Sequence, residues 1–236
     1  MMAPRVVDGV RVYAIGDIHG RADLLDDVLL KIDADLAVYP GIRPIQIFLG
    51  DYVDRGPDSC GVLDRLIRRA QTHEVIFLKG NHELQFLEFL QNPAVLKEWR
   101  KYGGLDTLMS YGLTVPLNAN AEQLASLAAQ LADVMPVAHR DFLNRLEASF
   151  VCGDYYFVHA GVRPRVPLVF QRQEDLLWIR DEFLQSEDDF GKVVVHGHTP
   201  VPKPEFRHNR INIDTGAYAT GKLTCLILEE DGRWFI

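Results

Sequence analysis

The 236-residue sequence predicts an α/β fold built on two β-sheets. In the first third of the chain, three short apolar runs alternate with helical patterns, which is typical of βαβ units and a largely parallel sheet. In the last third, short β-rich segments are separated by hairpin signals, which indicates a second sheet with more antiparallel pairing.

The first three predicted strands each end at a glycine or just before one. They cover Val10–Ile15, Ile45–Leu49 and Val75–Leu78. Between the first two, Asp23–Ile32 places its apolar residues on one helical face, which predicts a helix. The Pro-Asp pair at 57–58 supplies the signals that open a second helix before the third strand.

Residues 83–149 have mostly helical patterns, and we expect them to be a helical elaboration of the α/β core. The tetrapeptide 120–123 resembles a capping box before an apolar helical run. No linker rich in Gly, Ser or Pro flanks this region, so residues 1–236 are predicted to form one domain. The expected helix breaks are Asn92-Pro93, Gly103-Gly104 and Gly112.

The last third begins with a predicted hairpin, in which Ser149–Cys152 and Tyr155–His159 flank a Gly-Asp turn. Asp175–Leu184 has the apolar spacing of a helix. The remaining strands are predicted at Val193–His196, Arg210–Ile213, Leu223–Leu228 and Trp234–Ile236.

Composition excludes several classes of function. Lys and Arg number 25 against 33 Asp and Glu, which gives a formal charge of −8, so the chain is not built to coat nucleic acid or an anionic membrane. No apolar run reaches the roughly 18–20 residues that span a bilayer. The first five residues lack the apolar stretch of a signal peptide.

The three cysteines, Cys60, Cys152 and Cys225, are far apart and form no CxxC pair. We therefore expect reduced thiols that pack as small hydrophobes, with neither a disulfide scaffold nor a cysteine zinc site. Together with the lack of a targeting segment, this predicts a cytoplasmic protein. The sequence does not define an oligomeric state.

Polar side chains concentrate at the predicted strand ends, where sites form in open α/β sheets. Aspartate, histidine and asparagine are the donors that suit divalent metals such as manganese, iron or zinc. Six such donors on five segments suit two metals bridged by a shared carboxylate, and Arg55 could bind phosphate through its planar guanidinium. The segments are Gly16-Asp-Ile-His-Gly20, Gly50-Asp-Tyr-Val-Asp-Arg-Gly56, Gly80-Asn-His-Glu83, His159-Ala-Gly161 and Gly197-His-Thr-Pro200.

In this order, the five segments resemble the signatures of the phosphoprotein phosphatase family of calcineurin-like metallophosphoesterases, especially its compact bacterial and phage members. The resemblance implies two mixed β-sheets sandwiched by helices in an α/β/β/α arrangement, with a helical insertion. It also implies two divalent metal ions, with manganese as the expected metal and iron or zinc as alternatives. The implied ligands are Asp17 and His19 for one metal, Asp51 as the bridge, and Asn81, His159 and His198 for the other.

The same resemblance implies the remaining roles. His82 would be the general acid that protonates the leaving oxygen, with Asp54 orienting its imidazole. Arg55 would bind the phosphoryl group, and Arg180 would join it because Trp178-Ile-Arg180 matches the Trp-x-Arg pattern of bacterial members. His196 is expected to be a structural neighbour and not a ligand, and His73, His139 and His208 to be ordinary polar residues.

The implied function is a serine/threonine, or tyrosine, protein phosphatase that uses metal-bound hydroxide for in-line attack on phosphorus. Its partner would be a phosphoprotein or a phosphorylated small molecule. The alternatives are a symmetrical diadenosine tetraphosphate hydrolase and a binding module on an inactive scaffold. Asp54 favours the phosphatase, because the dinucleotide hydrolases tend to lack that carboxylate. The presence of every expected ligand argues against an inactive scaffold.

Overall fold

A computed structural model describes residues 3–236 and contains two five-stranded β-sheets packed face to face between helices. The first two residues of the predicted domain lie outside the described residues. The strands are β1 (Val10–Ile15), β2 (Arg43–Phe48), β3 (Val75–Phe77), β4 (Ser149–Cys152), β5 (Tyr155–Val158), β6 (Val193–His196), β7 (Glu205–Phe206), β8 (Arg210–Asn212), β9 (Cys225–Glu229) and β10 (Gly232–Phe235).

Both sheets are mixed, as the family resemblance implies. The expectation of more antiparallel pairing in the second sheet is wrong, because among residues 3–236 each sheet has two parallel and two antiparallel strand pairings. The first has the order β10-β9-β1-β2-β3, in which β1, β2 and β3 are parallel and β9 and β10 pair antiparallel. The second has the order β4-β5-β6-β8-β7, in which β5, β6 and β8 are parallel. The hairpin β4-β5 and the pair β7-β8 are antiparallel.

The helices cover the outer faces of the sheets, and five of those named here, α3 to α7, lie between β3 and β4 in the sequence. They are α1 (Ala22–Val38), α2 (Ser59–Arg69), α3 (Asn81–Gln91), α4 (Leu96–Trp99), α5 (Gly104–Ser110), α6 (Ala121–Val134), α7 (Val137–Asn144), α8 (Gln173–Trp178), α9 (Asp181–Leu184) and α10 (Ala217–Thr220).

Alternation along the strands divides the core into layers. On β1, Val12 and Ala14 face the second sheet, whereas Tyr13 and Ile15 face the helices of the first sheet. The same alternation on β5 sends Tyr155–Val158 alternately into the space between the sheets and toward α8 and α9. Successive strand residues point to opposite faces, so these patterns produce the predicted α/β/β/α sandwich.

The helical middle of the chain packs on the first sheet. Phe86, Trp99 and Leu131, from three of its helices, join the same apolar cluster as Tyr13 of β1. The expected breaks are confirmed, since α3 ends before Asn92 and α5 starts after Gly103, whose φ is 96°. This shared core supports our proposal that the chain forms one domain.

Two helices differ from the sequence prediction. The first continues past Ile32 to Val38. The helix predicted over 175–184 is divided into α8 and α9, because Ile179 takes an extended conformation with ψ near 141°. This break leaves Arg180 between the two helices, where its side chain donates a hydrogen bond to Thr199. Within residues 3–236, no helix is both long enough and apolar enough to cross a membrane.

Candidate active site

The predicted donor residues meet at one edge of the two-sheet sandwich. Asp17 follows β1, Asp51 follows β2 and Asn81 follows β3, while His159 and His198 follow β5 and β6 of the other sheet. These strands are parallel within each sheet, so their carboxyl ends lie together. The fold therefore brings residues from all five sequence segments to one site.

Asp51 lies at the centre of this site. Its Oδ2 is 3.5 Å from Nε2 of His19, and its Oδ1 is 3.3 Å from Nε2 of His159. Two groups of potential metal ligands share it, namely His19-Asp51-His82 and Asp51-His159-His198, each with its ligand atoms within 4.8 Å of one another. The two carboxylate oxygens thus face two separate ligand groups, which is the arrangement a bridging ligand requires.

Two other predicted ligands complete the ring of donors. The amide oxygen of Asn81 is 3.0 Å from Nε2 of His159. Oδ2 of Asp17 accepts the backbone N–H of His198 at 3.0 Å. Oδ1 of Asp17 and Nε2 of His198 are buried and have no hydrogen-bond partner among the described residues. An unsatisfied buried polar atom costs about 1–3 kcal/mol, so these atoms fit a site that a cation would complete.

Backbone carbonyl groups fix the orientation of two imidazoles. Nδ1 of His19 is 2.9 Å from the carbonyl oxygen of Val53, and Nδ1 of His159 is 3.0 Å from that of Leu49. With the Nδ1 proton donated to a carbonyl, Nε2 of each ring points toward Asp51. This pairing is how metal-binding histidines are held in proteins.

Burial sets different protonation states for these histidines. It lowers the pKa of His19 to about 3 and that of His198 to about 2, so both are neutral and able to bind a metal. Burial alone would also lower the pKa of His159, but the nearby carboxylates, Asp51 above all, raise it to about 9. In the metal-free protein, His159 therefore carries the proton that a cation would displace.

The site depends on backbone conformations that few residues adopt. His19, Asp51, Asp54, Arg55 and His198 all have φ between 48° and 72°, the left-handed region. Each such residue costs of order 1–3 kcal/mol and persists where its surroundings enforce it. The clustering of five left-handed residues at one site agrees with a functional role.

Glycines bring the backbone against the carboxylates. A Cβ on Gly80 would lie 2.1 Å from Oδ1 of Asp51, and one on Gly197 would lie 2.0 Å from Oδ1 of Asp17. No side chain fits at either place. The glycines of the sequence motifs are thus required because the loops approach the donors so closely.

Glu83 holds the loop after β2 in place. Its buried carboxylate accepts the backbone N–H groups of Gly80, Asp51 and Tyr52 at 2.7 to 2.9 Å. Burial and the charge of Asp51 raise its pKa to about 7. The sequence places Glu83 in a motif without indicating a role, and the structure shows that it holds the backbone at Asp51.

Asp54 contacts the imidazole of His82, the pair that the family resemblance implies. Oδ2 of Asp54 is 2.6 Å from Nδ1 of His82 and also accepts the indole N–H of Trp99 at 2.6 Å. Oδ1 accepts the hydroxyl of Thr107 at 2.6 Å. Although burial would lower the pKa of His82, the carboxylates of Asp51 and Asp54 outweigh it and raise the pKa. The two carboxylates thus stabilise the protonated imidazole, which suits a proton donor.

Trp99 and Thr107 were missed by sequence analysis. They lie 45 and 53 residues from Asp54 in the chain, in the helical insertion. No local pattern connects them to the second motif. A tryptophan in a helical apolar pattern is typical of a core residue, and Trp99 does also pack against Phe86 and Phe89.

Replacing Trp99 by phenylalanine should lower turnover of an alkyl phosphate about tenfold, because a hydrogen bond to a charged group contributes about 1.5–3 kcal/mol. KM and metal content should stay unchanged, and an aryl phosphate should be affected less. Steady-state kinetics on both substrates check this. Phe89→Leu is the matched control, since it loosens the same core without touching Asp54. Equal loss on both substrates in Trp99→Phe would contradict a positioning role.

The two predicted phosphate-binding arginines are placed differently. The guanidinium of Arg55 lies 4.5 Å from the ring centre of Tyr218 and makes no side-chain hydrogen bond or ion pair within residues 3–236. The ring of Tyr218 also meets the His19 ring edge-on, at 5.4 Å between centres. Arg180 is exposed, and its charge contributes to the lowered pKa of His198 after burial and His159. It borders an open cavity of about 770 Å³ that Trp178 and Arg172 also line.

The remaining histidines lie outside this site. His196 is buried, packs edge-on against Phe183 and belongs to neither ligand group, as expected. His139 was predicted to be an ordinary polar residue. It is instead buried, and its ring nitrogens contact Tyr111 and Asp64.

Similarity to known proteins agrees with this geometry. The profile of the calcineurin-like phosphoesterase family matches residues 10–229. A protein of Anoxybacillus flavithermus named as an asymmetrical bis(5'-nucleosyl)-tetraphosphatase is 27% identical over 234 residues, which cover 90% of this chain and 88% of the relative. A protein of the same name from Oceanobacillus iheyensis is 25% identical and covers 91% and 87%.

Solved structures share the fold. A crystal structure titled as a putative diadenosine tetraphosphatase aligns with a TM-score of 0.64 at 20% identity, over 100% of this chain and 98% of the other. A cold-active protein-tyrosine phosphatase of a Shewanella species aligns with a TM-score of 0.57 at 16% identity, over 100% and 82%. Because the family profile spans nearly the whole sequence and the donor residues converge, the chain belongs to the calcineurin-like phosphoesterase family and is a metal-dependent phosphoric ester hydrolase.

Proposed function

We propose that the chain is a phosphomonoesterase that acts on phosphoserine or phosphothreonine in proteins, with phosphotyrosine as an alternative. The observation that carries this proposal is the buried pair of His82 and Asp54, whose Nδ1–Oδ2 distance is 2.6 Å. A serine or threonine side chain leaves as an alkoxide, which needs a proton in the transition state. A nucleotide leaves as a stable phosphate anion and needs the proton far less.

Two divalent cations fit the donor set. We assign Asp17 and His19 to one cation and Asp51 to both, with manganese as the proposed metal and iron or zinc as alternatives. When bound, such a pair supplies a nucleophile at neutral pH and neutralises charge on the phosphoryl oxygens. The proposed ligands of the other cation are Asn81, His159 and His198.

The remaining residues bind the phosphoryl group and move the proton. Arg55, whose guanidinium is unpaired within residues 3–236, can donate two hydrogen bonds to phosphoryl oxygens. Arg180, whose guanidinium donates a hydrogen bond to Thr199 next to His198, would complete this clamp. His82 gives its Nε2 proton to the departing oxygen, while Asp54 keeps Nδ1 protonated and stabilises the charged imidazole.

A second candidate function is hydrolysis of dinucleoside tetraphosphates. The relatives that carry that name cover about nine-tenths of this chain, which favours it. Their name specifies asymmetrical cleavage, whereas the symmetrical type is the alternative that the sequence motifs suggest. The two types differ in products, since asymmetrical cleavage of diadenosine tetraphosphate gives ATP and AMP and symmetrical cleavage gives two ADP.

We retain the other sequence-based proposals. The partner is a phosphoprotein or a phosphorylated small molecule, with no role for nucleic acid or membrane. The cytoplasm remains the proposed location, and the free thiols of Cys60, Cys152 and Cys225 support a reducing compartment.

A side-by-side assay tests the two candidates. With manganese present, phosphoserine and phosphothreonine peptides should show higher kcat/KM than diadenosine tetraphosphate. The reason is that the alkoxide leaving group of the peptides needs the proton from His82, whereas a nucleotide leaving group needs it far less. Protein stripped by a chelator is the control and should regain activity when Mn²⁺ is added. A higher kcat/KM on the dinucleotide would favour the second candidate, and its products would identify the type of cleavage. Activity that persists without metal would contradict both.

A further inference from the structure

A third group of side chains that could bind a metal lies between α2 and α7, outside the candidate active site. Cys60 and Asp64 are one turn apart on α2, and His139 is on α7. One ligand atom from each residue, a sulfur, a carboxylate oxygen and a ring nitrogen, lies within 4.8 Å of the other two. Residues four apart share one face of a helix, so α2 presents its thiol and carboxylate together to the imidazole.

The imidazole of His139 is held in the orientation that a ligand needs. The residue is only 1% exposed. Its Nε2 is 3.0 Å from Oδ1 of Asp64, and its Nδ1 is 2.7 Å from the hydroxyl oxygen of Tyr111. When Nδ1–H donates to that oxygen, the lone pair of Nε2 faces Asp64 and Cys60. Such outer hydrogen bonds orient metal-binding histidines.

We propose that Cys60, Asp64 and His139 form a Zn²⁺ site outside the candidate active site. Thiolate, imidazole and carboxylate are all zinc ligands, and three of them leave the fourth tetrahedral position to water. The Asp64 side chain is 59% exposed, so the ion has a path from solvent. On binding, the Cys60 thiol loses its proton to solvent as the zinc–sulfur bond forms.

Small movements complete the site. Zinc lies about 2.0–2.3 Å from such ligands, which places neighbouring ligand atoms roughly 3.3–3.8 Å apart. In the structure, the ligand atoms lie within 4.8 Å of one another. Rotation of the exposed Asp64 side chain and a slight shift of Cys60 would bring them to the shorter separation.

The sequence prediction of no cysteine zinc site rested on the missing CxxC pair. In the structure, the three side chains come instead from two helices, and Asp64 and His139 are 75 positions apart in the sequence.

Cobalt spectroscopy tests this proposal independently of hydrolysis. Co²⁺ is added to the whole protein after its active site has been filled with Mn²⁺. Titration with Co²⁺ should produce an ultraviolet thiolate-to-cobalt charge-transfer band, which excess Zn²⁺ should abolish. The proposed active-site ligands offer only oxygen and nitrogen, so they cannot produce this band. Cys60→Ser should remove the band, whereas Cys152→Ser should keep it.

Two further variants keep the test valid if Cys60→Ser folds poorly. Asp64→Asn alters a side chain at the surface and should weaken cobalt binding at least about tenfold. Tyr111→Phe should weaken it about 10–100-fold, as is typical for the loss of an outer partner of a metal-binding histidine. The proposal is overturned if the wild type shows no band, if Cys60→Ser retains it, or if neither Asp64→Asn nor Tyr111→Phe changes the affinity.

Discussion

Replacing Asp51 by asparagine should remove most of the bound metal and most of the hydrolytic activity. The carboxylate faces both ligand groups, so the substitution withdraws a charged ligand from each. Loss of an outer partner alone typically lowers metal affinity about 10–100-fold, so loss of a shared ligand should exceed about 100-fold. Metal content per chain after dialysis, measured by elemental analysis, checks the prediction.

The Asp51→Asn variant should keep its fold, which makes the result interpretable. Asparagine tolerates the left-handed conformation that Asp51 adopts with φ at 50°. The backbone N–H groups held by Glu83 are unchanged. Asp58→Asn is the matched control, because Asp58 caps α2 and asparagine caps a helix equally well. Full metal content in Asp51→Asn would contradict the bridging role.

The sequence predicted the parts of the site that depend on local pattern. A short apolar run followed by glycine and a polar residue marks a strand end, and parallel strands bring their carboxyl ends together. For this reason Asp17, Asp51 and His159 could be placed at one edge of the sandwich before their distances were known. Short strands and hairpin signals also predicted two sheets, but they did not predict that β9 and β10 of the last third pair in the first sheet.

The parts that were missed depend on contacts between distant segments. Trp99 and Thr107 reach Asp54 only because the insertion folds back over the first sheet. The break at Ile179 could not be read from helical spacing, because the spacing of apolar residues continues through it. His139 looked unremarkable because its partners are distant in sequence, Asp64 on α2 and Tyr111 directly after α5.

These tertiary contacts explain how the site uses the insertion. The loop after β2 supplies Asp51 and Asp54, and α3 supplies Glu83, which holds that loop at Asp51. The insertion then supplies the donors that surround the carboxylate of Asp54. The two-sheet scaffold therefore positions the proposed metal ligands, while Trp99 and Thr107 of the helical segment hold the carboxylate that contacts His82.

Replacing His82 by asparagine should leave the metal in place and lower turnover of alkyl phosphates about 10²–10⁴-fold, the usual contribution of a general acid. An aryl phosphate leaves as a stabilised phenolate, so its turnover should fall much less. The two losses should differ by at least about tenfold, or about 1.4 kcal/mol in activation free energy. Steady-state kinetics on phosphoserine and aryl phosphate substrates, with metal content measured in parallel, check this.

Comparing the two substrates and the metal content distinguishes a proton donor from a metal ligand. Nε2 of His82 lies 3.7 Å from Oδ2 of Asp51 and belongs to one of the ligand groups. If His82 were a ligand, its loss would lower metal content and impair both substrates alike, as Asp51→Asn should. If His82 is the general acid, the metal stays bound and turnover falls more for the alkyl phosphate, whose leaving oxygen needs the proton more. His73→Asn, the same substitution outside the site, should change neither property.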